Sequence, residues 1–238
     1  MSQHDSLGIK VFADGADLEG ILRLASDPQI AGFTTNPTLM RKAGVEDYEG
    51  FARKLLDHIT DRPISFEVFS DDFDEMRRQA LLIRAWGPNV YVKIPVTNTR
   101  GESSAALVHE LSAEGLRLNV TALLSLGQVR TVVGALEPTP GAIVSVFAGR
   151  VADTGVDPVP LMSAALELTG LHPEIELLWA SPREVLNICQ AASIGCDIIT
   201  VTHDLLAKMG GLGRDLDEVS LDTVKMFQND AEKAGFLL

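Results

Sequence analysis

One lysine, Lys93, lies inside an apolar stretch of the chain, residues 90–96, whose β-branched and aromatic side chains are typical of a buried strand. Burying a charged ammonium group costs free energy unless the group is paired or neutral. Desolvation favours the uncharged amine, which attacks carbonyl carbons and forms Schiff bases. Lys93 is therefore a candidate catalytic amine. The alternative is a structural lysine that reaches solvent at the strand end or pairs with a carboxylate.

Other polar residues that could do chemistry follow or lie within neighbouring apolar stretches. They are Asp14, Asn36, Glu67, Asn119, Thr121, Ser145, Arg150, Ser181 and Arg183. Each one alone has a structural explanation. Asp14 could cap the next helix, Asn36 could form a turn with Pro37, and Glu67 could pair with Lys93. The hydroxyl residues could be ordinary core residues, and the arginines could be solvated. Carboxylates and a lysine that share one apolar mouth would perturb each other's pKa values, as active-site groups do.

The elements that must position these residues alternate between short apolar strands and longer amphipathic helices. The strand candidates are residues 9–13, 31–34, 64–69, 90–96, 116–123, 142–147, 176–180 and 197–201. Helix patterns cover residues 72–86, 102–114, 158–169, 182–193 and 216–233. This alternation predicts one α/β domain over residues 1–238, a (β/α)₈ TIM barrel with an extra C-terminal helix. An open doubly wound sheet is the alternative. In a barrel, functional groups come from the carboxyl ends of the strands and the loops that follow.

Composition narrows the possible partners. The chain has 238 residues, a net charge of −13 and 46% hydrophobic residues. Such an acidic chain repels nucleic acid and anionic lipid, so neither is an expected partner. A small anionic substrate stays possible because a few arginines can dominate one pocket. No apolar stretch has the length of a membrane span or a signal region, and the two cysteines have no metal-ligand or redox spacing. We expect a cytoplasmic protein.

The candidate catalytic residues fit a metal-free aldol cleavage. Lys93 would form an imine with a ketone, and Glu67, through a water held by Thr121, could move the protons that this step requires. Asp14 is the remaining carboxylate, and it could take the proton of a β-hydroxyl group as the carbon–carbon bond breaks. No His, Cys or Asp group has metal-ligand spacing, and no glycine fingerprint for a nucleotide cofactor is present. We therefore expect neither a metal nor a cofactor.

The remaining polar residues fit a sugar phosphate. Asn36 and Asn119 can bind hydroxyl groups and fix their orientation. Arg150 and Arg183, with Ser181, could form a phosphate site because arginine matches the geometry of oxyanions. The expected substrate is a phosphorylated ketose.

Several segments resemble the transaldolase family, in the family's order and over nearly the whole chain. They are residues 32–38 (GFTTNPT), 66–68 (FEV), 92–95 (VKIP), 118–121 (LNVT), 144–150 (VSVFAGR) and 180–183 (ASPR). The short length resembles the compact transaldolases and their relative, fructose-6-phosphate aldolase.

The resemblance implies a role for each matching residue. It implies that Lys93 is the Schiff-base lysine, that Asp14 is the acid/base at the carbon–carbon bond, and that Glu67 and Thr121 form the proton relay. The residues implied to bind substrate are Asn36, Asn119 and Ser145 at the dihydroxyacetone portion, Phe147 beside the Schiff base, and Arg150, Ser181 and Arg183 at the phosphate.

The family's reaction, as the resemblance implies it, transfers a three-carbon dihydroxyacetone unit within the pentose phosphate pathway. The unit moves from sedoheptulose 7-phosphate to glyceraldehyde 3-phosphate, giving erythrose 4-phosphate and fructose 6-phosphate. No metal or cofactor takes part, and we also expect a homo-oligomer.

Two positions separate transfer from simple cleavage. The aldolase relatives carry Gln where Glu67 stands and Tyr where Phe147 stands, so this chain favours the transaldolase. The alternatives are a lyase similar to fructose-6-phosphate aldolase and a non-catalytic barrel that binds sugar phosphates. Trp179, Pro182 and Glu184 depart from the usual family pattern next to the arginine site, which leaves the sugar preference open.

Overall fold

The structure is a computed structural model that describes residues 7–137 and 139–235. Eight parallel strands form a closed barrel in the order β1 to β8. The (β/α)₈ prediction is therefore confirmed, and the alternative of an open doubly wound sheet is wrong. The strands are β1 Lys10–Asp14, β2 Ile30–Thr34, β3 Ile64–Glu67, β4 Val90–Pro95, β5 Leu118–Leu123, β6 Ala142–Val146, β7 Ile175–Trp179 and β8 Ile198–Thr202.

Helices follow the strands around the outside of the barrel. They are α1 Leu18–Ala25, α2 Pro37–Lys42, α3 Tyr48–Leu56, α4 Phe73–Arg84, α5 Ala105–Ala113, α6 Leu126–Ala135, α7 Ala148–Ala152, α8 Pro158–Thr169, α9 Val185–Ser193, α10 His203–Lys208 and α11 Leu216–Ala234. A short 3-10 helix, Met209–Gly211, separates α10 from the last helix.

Several predicted elements start later or end earlier than expected, and two predicted helices start three residues late. The predicted helix 182–193 begins at Val185, because Ser181 adopts a left-handed backbone with φ of 62° and the chain stays in a loop up to Glu184. The predicted strand 64–69 ends at Glu67. The predicted helix 102–114 begins at Ala105, since Asn98 Oδ1 accepts hydrogen bonds from the backbone N–H groups of Arg100 and Glu102 and so holds that segment in a turn.

The alternative that made Asp14 a helix cap is wrong. Asp14 is the last residue of β1, and the cap of α1 is Asp17, whose side chain accepts from the Gly20 N–H at 2.8 Å. A side-chain acceptor at this position satisfies an N–H group that has no partner inside the helix.

The apolar core has two parts. The larger cluster packs the strands against the surrounding helices, and the smaller one contains Phe12, Ile143, Leu178, Ala180 and Ile198. Since these five residues come from β1, β6, β7 and β8 or the residue after β7, they meet in the barrel interior and form the floor below the mouth. Gly32 makes room for this floor, because a Cβ atom there would lie 2.6 Å from the ring of Phe12.

The last helix differs from the rest. None of its residues is buried, and it exposes several large apolar side chains: Leu216, Val219, Leu221, Val224, Met226 and Phe227. No helix in the described ranges is long and apolar enough to cross a membrane.

Candidate active site

A cavity of about 490 Å³ opens at the carboxyl ends of the strands. All eleven residues singled out from the sequence line it: Asp14, Asn36, Glu67, Lys93, Asn119, Thr121, Ser145, Phe147, Arg150, Ser181 and Arg183. The fold thus brings residues from seven strands, or from the loops after them, to one place. This is the end of the barrel at which TIM-barrel enzymes carry their active sites.

Lys93 lies at the bottom of the cavity and is 5% exposed. The register of the ladder places it opposite Glu67 on β3 and opposite Asn119 on β5. Its Nζ donates to the Thr35 carbonyl at 2.9 Å and lies 3.2 Å from Glu67 Oε2. The amine is therefore buried, as expected of a catalytic lysine, and it is also paired with a carboxylate, as expected of a structural one.

A hydrogen-bonded row continues from Lys93 around the wall. Ser145 Oγ donates to Asn119 Oδ1 at 2.7 Å, and Asn119 Nδ2 donates to Ser65 Oγ at 3.0 Å. These contacts fix the orientation of the Asn119 amide. Thr121 is also buried, and its Oγ1 has no hydrogen-bond partner among the described residues. Because an unpaired buried hydroxyl is costly, Thr121 is suited to bind a water or a substrate group.

Asp14 lies across the mouth from this row, partly open to the cavity. Thr34 Oγ1 donates to Asp14 Oδ1 at 2.7 Å and lies 2.5 Å from Thr200 Oγ1. Thr34 has one hydroxyl proton, so the Thr200 hydroxyl must supply the proton between the two threonines. Burial raises the pKa of Asp14, and the positive charge of Lys93 opposes that rise.

The arginines occupy the outer side of the mouth. The Arg150 guanidinium lies over the Phe147 ring, 5.5 Å from its centroid. Arg183 Nε donates to Asp153 Oδ1 at 2.9 Å, and Arg183 Nη2 binds the other carboxylate oxygen. Both arginines lower the pKa of Asp153, with the hydrogen bond from Arg183 as the largest cause. Both arginines line the cavity, and Arg183 is paired there with Asp153.

Close backbone packing joins the two segments that carry these arginines. A Cβ atom at Gly149 would lie 1.6 Å from the Ser181 carbonyl oxygen, so only glycine fits there. Ser181 and Ala122 are the two non-glycine residues with positive φ in the described ranges, and both line the cavity. Such conformations cost free energy and cluster at functional sites.

The three departures from the family pattern lie in different places. Trp179 is fully buried in the cluster between strands and helices and does not line the cavity. Pro182 does line the cavity, whereas Glu184 is exposed at the start of α9. The bulk of Trp179 therefore lies outside the cavity.

Sequence reasoning gave no role to several residues of the site. Ser65 hydrogen-bonds to Asn119, Thr34 to Asp14, and Asp153 to Arg183. Thr200 hydrogen-bonds to Thr34. Both Thr34 and Thr200 lie within apolar strands, and Thr34 also belongs to the segment 32–38 that resembles the family. Asp153 gives no such signal because it lies after a short helix.

A second, larger space of about 670 Å³ lies outside the barrel, along α1 and α10. Apolar residues such as Ile9, Leu24 and Leu206 line much of it, and it contains none of the eleven residues. We assign the chemistry to the smaller cavity, because the lysine and the carboxylates converge there. Within residues 7–137 and 139–235, no three His, Cys, Asp or Glu side chains group in a way that could hold a metal ion.

Comparisons with known proteins identify the family of the chain. A probable transaldolase of Dehalococcoides mccartyi is 34% identical over 202 residues, which cover 84% of this chain and 90% of the relative. A probable transaldolase of Nitrosopumilus maritimus is 33% identical over 231 residues, 94% of this chain and 96% of the relative. Dihydrodipicolinate synthase from Rhodopseudomonas palustris shares the fold, with a TM-score of 0.54, 12% identity, and coverage of 81% of this chain and 69% of that one. The family model for transaldolase/fructose-6-phosphate aldolase matches residues 11–238, and the chain belongs to that family.

Proposed function

We propose that the protein is a transaldolase that moves a dihydroxyacetone unit between phosphorylated sugars through a Schiff base on Lys93. The observation that carries the proposal is the position of Lys93 Nζ, buried in a strand and 3.2 Å from Glu67 Oε2. The proposed reaction transfers the unit from sedoheptulose 7-phosphate to glyceraldehyde 3-phosphate, giving erythrose 4-phosphate and fructose 6-phosphate, as in the pentose phosphate pathway.

In the first step, the Glu67 carboxylate takes a proton from the Lys93 ammonium, either directly or through a water on Thr121. The freed amine adds to the ketone carbon of the donor and forms a carbinolamine. The amine's second proton passes to the carbinolamine oxygen, and Glu67 returns the first one when this oxygen leaves as water. The result is a protonated imine, so Glu67 ends the step unprotonated and ready for the reverse hydrolysis.

In the second step, the Asp14 carboxylate takes the proton of the hydroxyl group β to the imine carbon. The carbon–carbon bond breaks, its electron pair forms the double bond of an enamine, and the imine nitrogen accepts the displaced pair. An aldose phosphate leaves. When the acceptor aldehyde enters, the enamine carbon attacks it, and Asp14 returns its proton to the new hydroxyl oxygen. No net proton is gained or lost in the transfer.

The other residues would bind and orient the donor. Asn36, Asn119 and Ser145 carry side chains suited to the hydroxyl groups of the dihydroxyacetone unit, with Phe147 beside the imine. Arg150, Ser181 and Arg183 form the outer side of the cavity and would hold the phosphate.

A lyase similar to fructose-6-phosphate aldolase is the second candidate. Glu67 and Phe147 both line the cavity, and neither is the Gln or Tyr expected of that lyase. An assay with fructose 6-phosphate as donor separates the two candidates. We expect product only when an aldose phosphate acceptor is present, whereas a lyase would release free dihydroxyacetone without one.

Borohydride reduction in the presence of fructose 6-phosphate tests the imine. We expect a three-carbon polyol on the peptide that contains Lys93, also after prolonged EDTA treatment, since the mechanism uses no metal. Lys10, a strand lysine paired with Glu176 at the other end of β1, is the internal control. A label on Lys10, or loss of activity on chelation that zinc or magnesium restores, would contradict the mechanism.

We further propose a single-domain, cytoplasmic homo-oligomer. The apolar side chains that α11 exposes support the oligomer, because exposed apolar surface favours association. Light scattering after size exclusion checks this, and a monomer mass would refute it.

A further inference from the structure

The pairing of β3 with β2 ends before Glu67, the last residue of β3, which lies opposite Lys93 on β4. In the β2–β3 ladder, Phe33 N donates to Pro63 O at 2.9 Å and Thr35 N donates to Ser65 O at 3.2 Å. Continuing a parallel ladder in this register would pair Glu67 N with Thr35 O, and Glu67 O with the N–H of residue 37.

Neither of these two bonds is made by the ladder. Residue 37 is Pro37, which has no N–H to donate and begins helix α2. The Thr35 carbonyl accepts instead from Lys93 Nζ at 2.9 Å. Both backbone groups of Glu67 therefore need another partner, because unpaired backbone groups inside a protein are costly.

A single hydroxyl supplies that partner. Tyr48 Oη accepts from Glu67 N at 2.8 Å and donates to Glu67 O at 3.0 Å, so it replaces both missing bonds. Tyr48 is the first residue of α3, and its ring packs 4.5 Å from that of Phe69 and 5.3 Å from that of Trp86, centroid to centroid. Burial raises the pKa of Tyr48, so the hydroxyl keeps its proton throughout the working pH range.

We infer that Tyr48 is a positioning residue for Glu67 and, through the Thr35 carbonyl that it leaves free, for Lys93. Its hydroxyl fixes the end of β3 so that the Glu67 carboxylate faces the lysine amine. The inference rests on the proposed function, because it assigns Tyr48 to the step in which Glu67 moves protons for imine formation. Its consequence is specific: loss of the hydroxyl should slow imine formation and leave donor binding alone.

The variant Tyr48→Phe removes the hydroxyl and keeps the ring in its aromatic cluster. We expect borohydride trapping of fructose 6-phosphate on Lys93 to slow about tenfold, the scale of a small misplacement of a reacting group, with little change in KM. The matched control is Tyr91→Phe, at the chain's other tyrosine, which lies near Arg117 away from the cavity. This control should trap at the rate of the unchanged protein.

A double-mutant cycle separates positioning from a general structural effect. If Tyr48 acts through Glu67, Tyr48→Phe should slow trapping further by less than about twofold when Glu67→Gln is already present. An equal further slowing in both backgrounds would overturn the inference. Circular dichroism checks the fold, and the rates are taken in sucrose, which favours the compact state.

The outcomes separate this inference from the proposed function. No trapping on Lys93 in the unchanged protein refutes the proposed function. Normal trapping there, with an equal rate in folded Tyr48→Phe, refutes the role of Tyr48 alone. A Tyr48→Phe protein that stays unfolded even in sucrose also overturns the inference, since the inference requires a folded chain with a misplaced Glu67.

Discussion

The two sides of the cavity are built in different ways. On the inner side, Lys93, Glu67 and Asn119 lie on three consecutive strands, opposite one another in the ladder, and Lys93 is 5% exposed. On the outer side, Arg150 lies on a five-residue helix and Arg183 in a loop, and Arg183 is half exposed in its pair with Asp153. The proposed reacting groups are thus held by backbone register, and the proposed phosphate-binding groups are held by side-chain contacts in solvent.

This difference predicts different penalties for substitution. Buried charges that pair at short distance are costly to disturb, whereas exposed ion pairs contribute little, typically about 0–1 kcal/mol. Changes on the inner side should therefore stop or slow the chemistry. Changes on the outer side should mainly weaken binding of the substrate.

The largest effect is expected at Lys93. Lys93→Ala should reduce turnover by at least about 10⁴-fold, the scale seen when a catalytic nucleophile is lost, while the protein stays folded. Steady-state assays with circular dichroism measure both. Lys10→Ala is the control, because that lysine pairs with Glu176 in solvent. Residual transfer activity in Lys93→Ala above that level would contradict the assignment of the reaction to the inner side.

The next effect divides the two carboxylates. Asp14→Ala should still form an imine that borohydride traps, with cleavage slowed by about 10²–10⁴-fold, as for general acid–base groups. Glu67→Ala should slow imine formation itself, since its carboxylate faces the amine. Single-turnover trapping and product release measure the two steps. If both variants trap substrate at the normal rate, the division of roles is wrong.

A smaller effect, in binding, is expected at Arg183. Arg183→Ala should raise KM for fructose 6-phosphate about 10- to 100-fold, the scale of a lost charge-assisted hydrogen bond, and change kcat less. Unphosphorylated fructose should be affected little. Glu184→Gln, a change at an exposed neighbour, is the control for local charge. Equal losses with both donors would make Arg183 structural and would end the contrast between the two sides.

The inner side was the more predictable from sequence, and its construction explains why. A charged residue inside a β-branched stretch can be recognised in the sequence. The alternation of strands and helices predicts a barrel, in which the carboxyl ends of the strands converge. These two signals were sufficient to select Lys93, Glu67 and Asn119 as candidate site residues. The alternatives that the sequence left open also concerned local contacts. For example, the hydrogen bond from Gly20 N–H to Asp17 shows that Asp17, and not Asp14, caps α1.

The contacts that complete the site could not be predicted in this way. Asp153 binds a residue 30 positions away, and Thr200 meets one 166 positions away. These pairs depend on loop conformations and on barrel closure, which no local pattern encodes. Tyr48 is a similar case, because the sequence analysis gave it no role and its inferred role depends on a hydrogen bond that Pro37 cannot make.

The smallest expected effect concerns stability, and it tests whether burying the Asp14 carboxylate, across the mouth from the inner side, lowers the free energy of unfolding. Burial raises the pKa of Asp14, against the opposing charge of Lys93 and the hydrogen bond from Thr34. The folded state therefore binds this proton more tightly than the unfolded state does. The resulting stabilisation is complete below the unfolded pKa of the group and is lost as the pH rises through the higher folded pKa.

Asp14→Asn cannot titrate, so this variant should be more stable than the unchanged protein at neutral pH, and the difference should shrink as the pH falls. Urea unfolding at pH 7.5 and near pH 4 measures it. Asp61→Asn is a control of opposite sign, because Arg62 lowers the pKa of this exposed carboxyl, whose contribution is present above the unfolded pKa and lost as the pH falls. A less stable Asp14→Asn at neutral pH would mean that Lys93 compensates Asp14 fully. The buried Asp14 carboxylate would then carry no stability cost, and activity alone would distinguish the buried charges of the cavity from the arginine side.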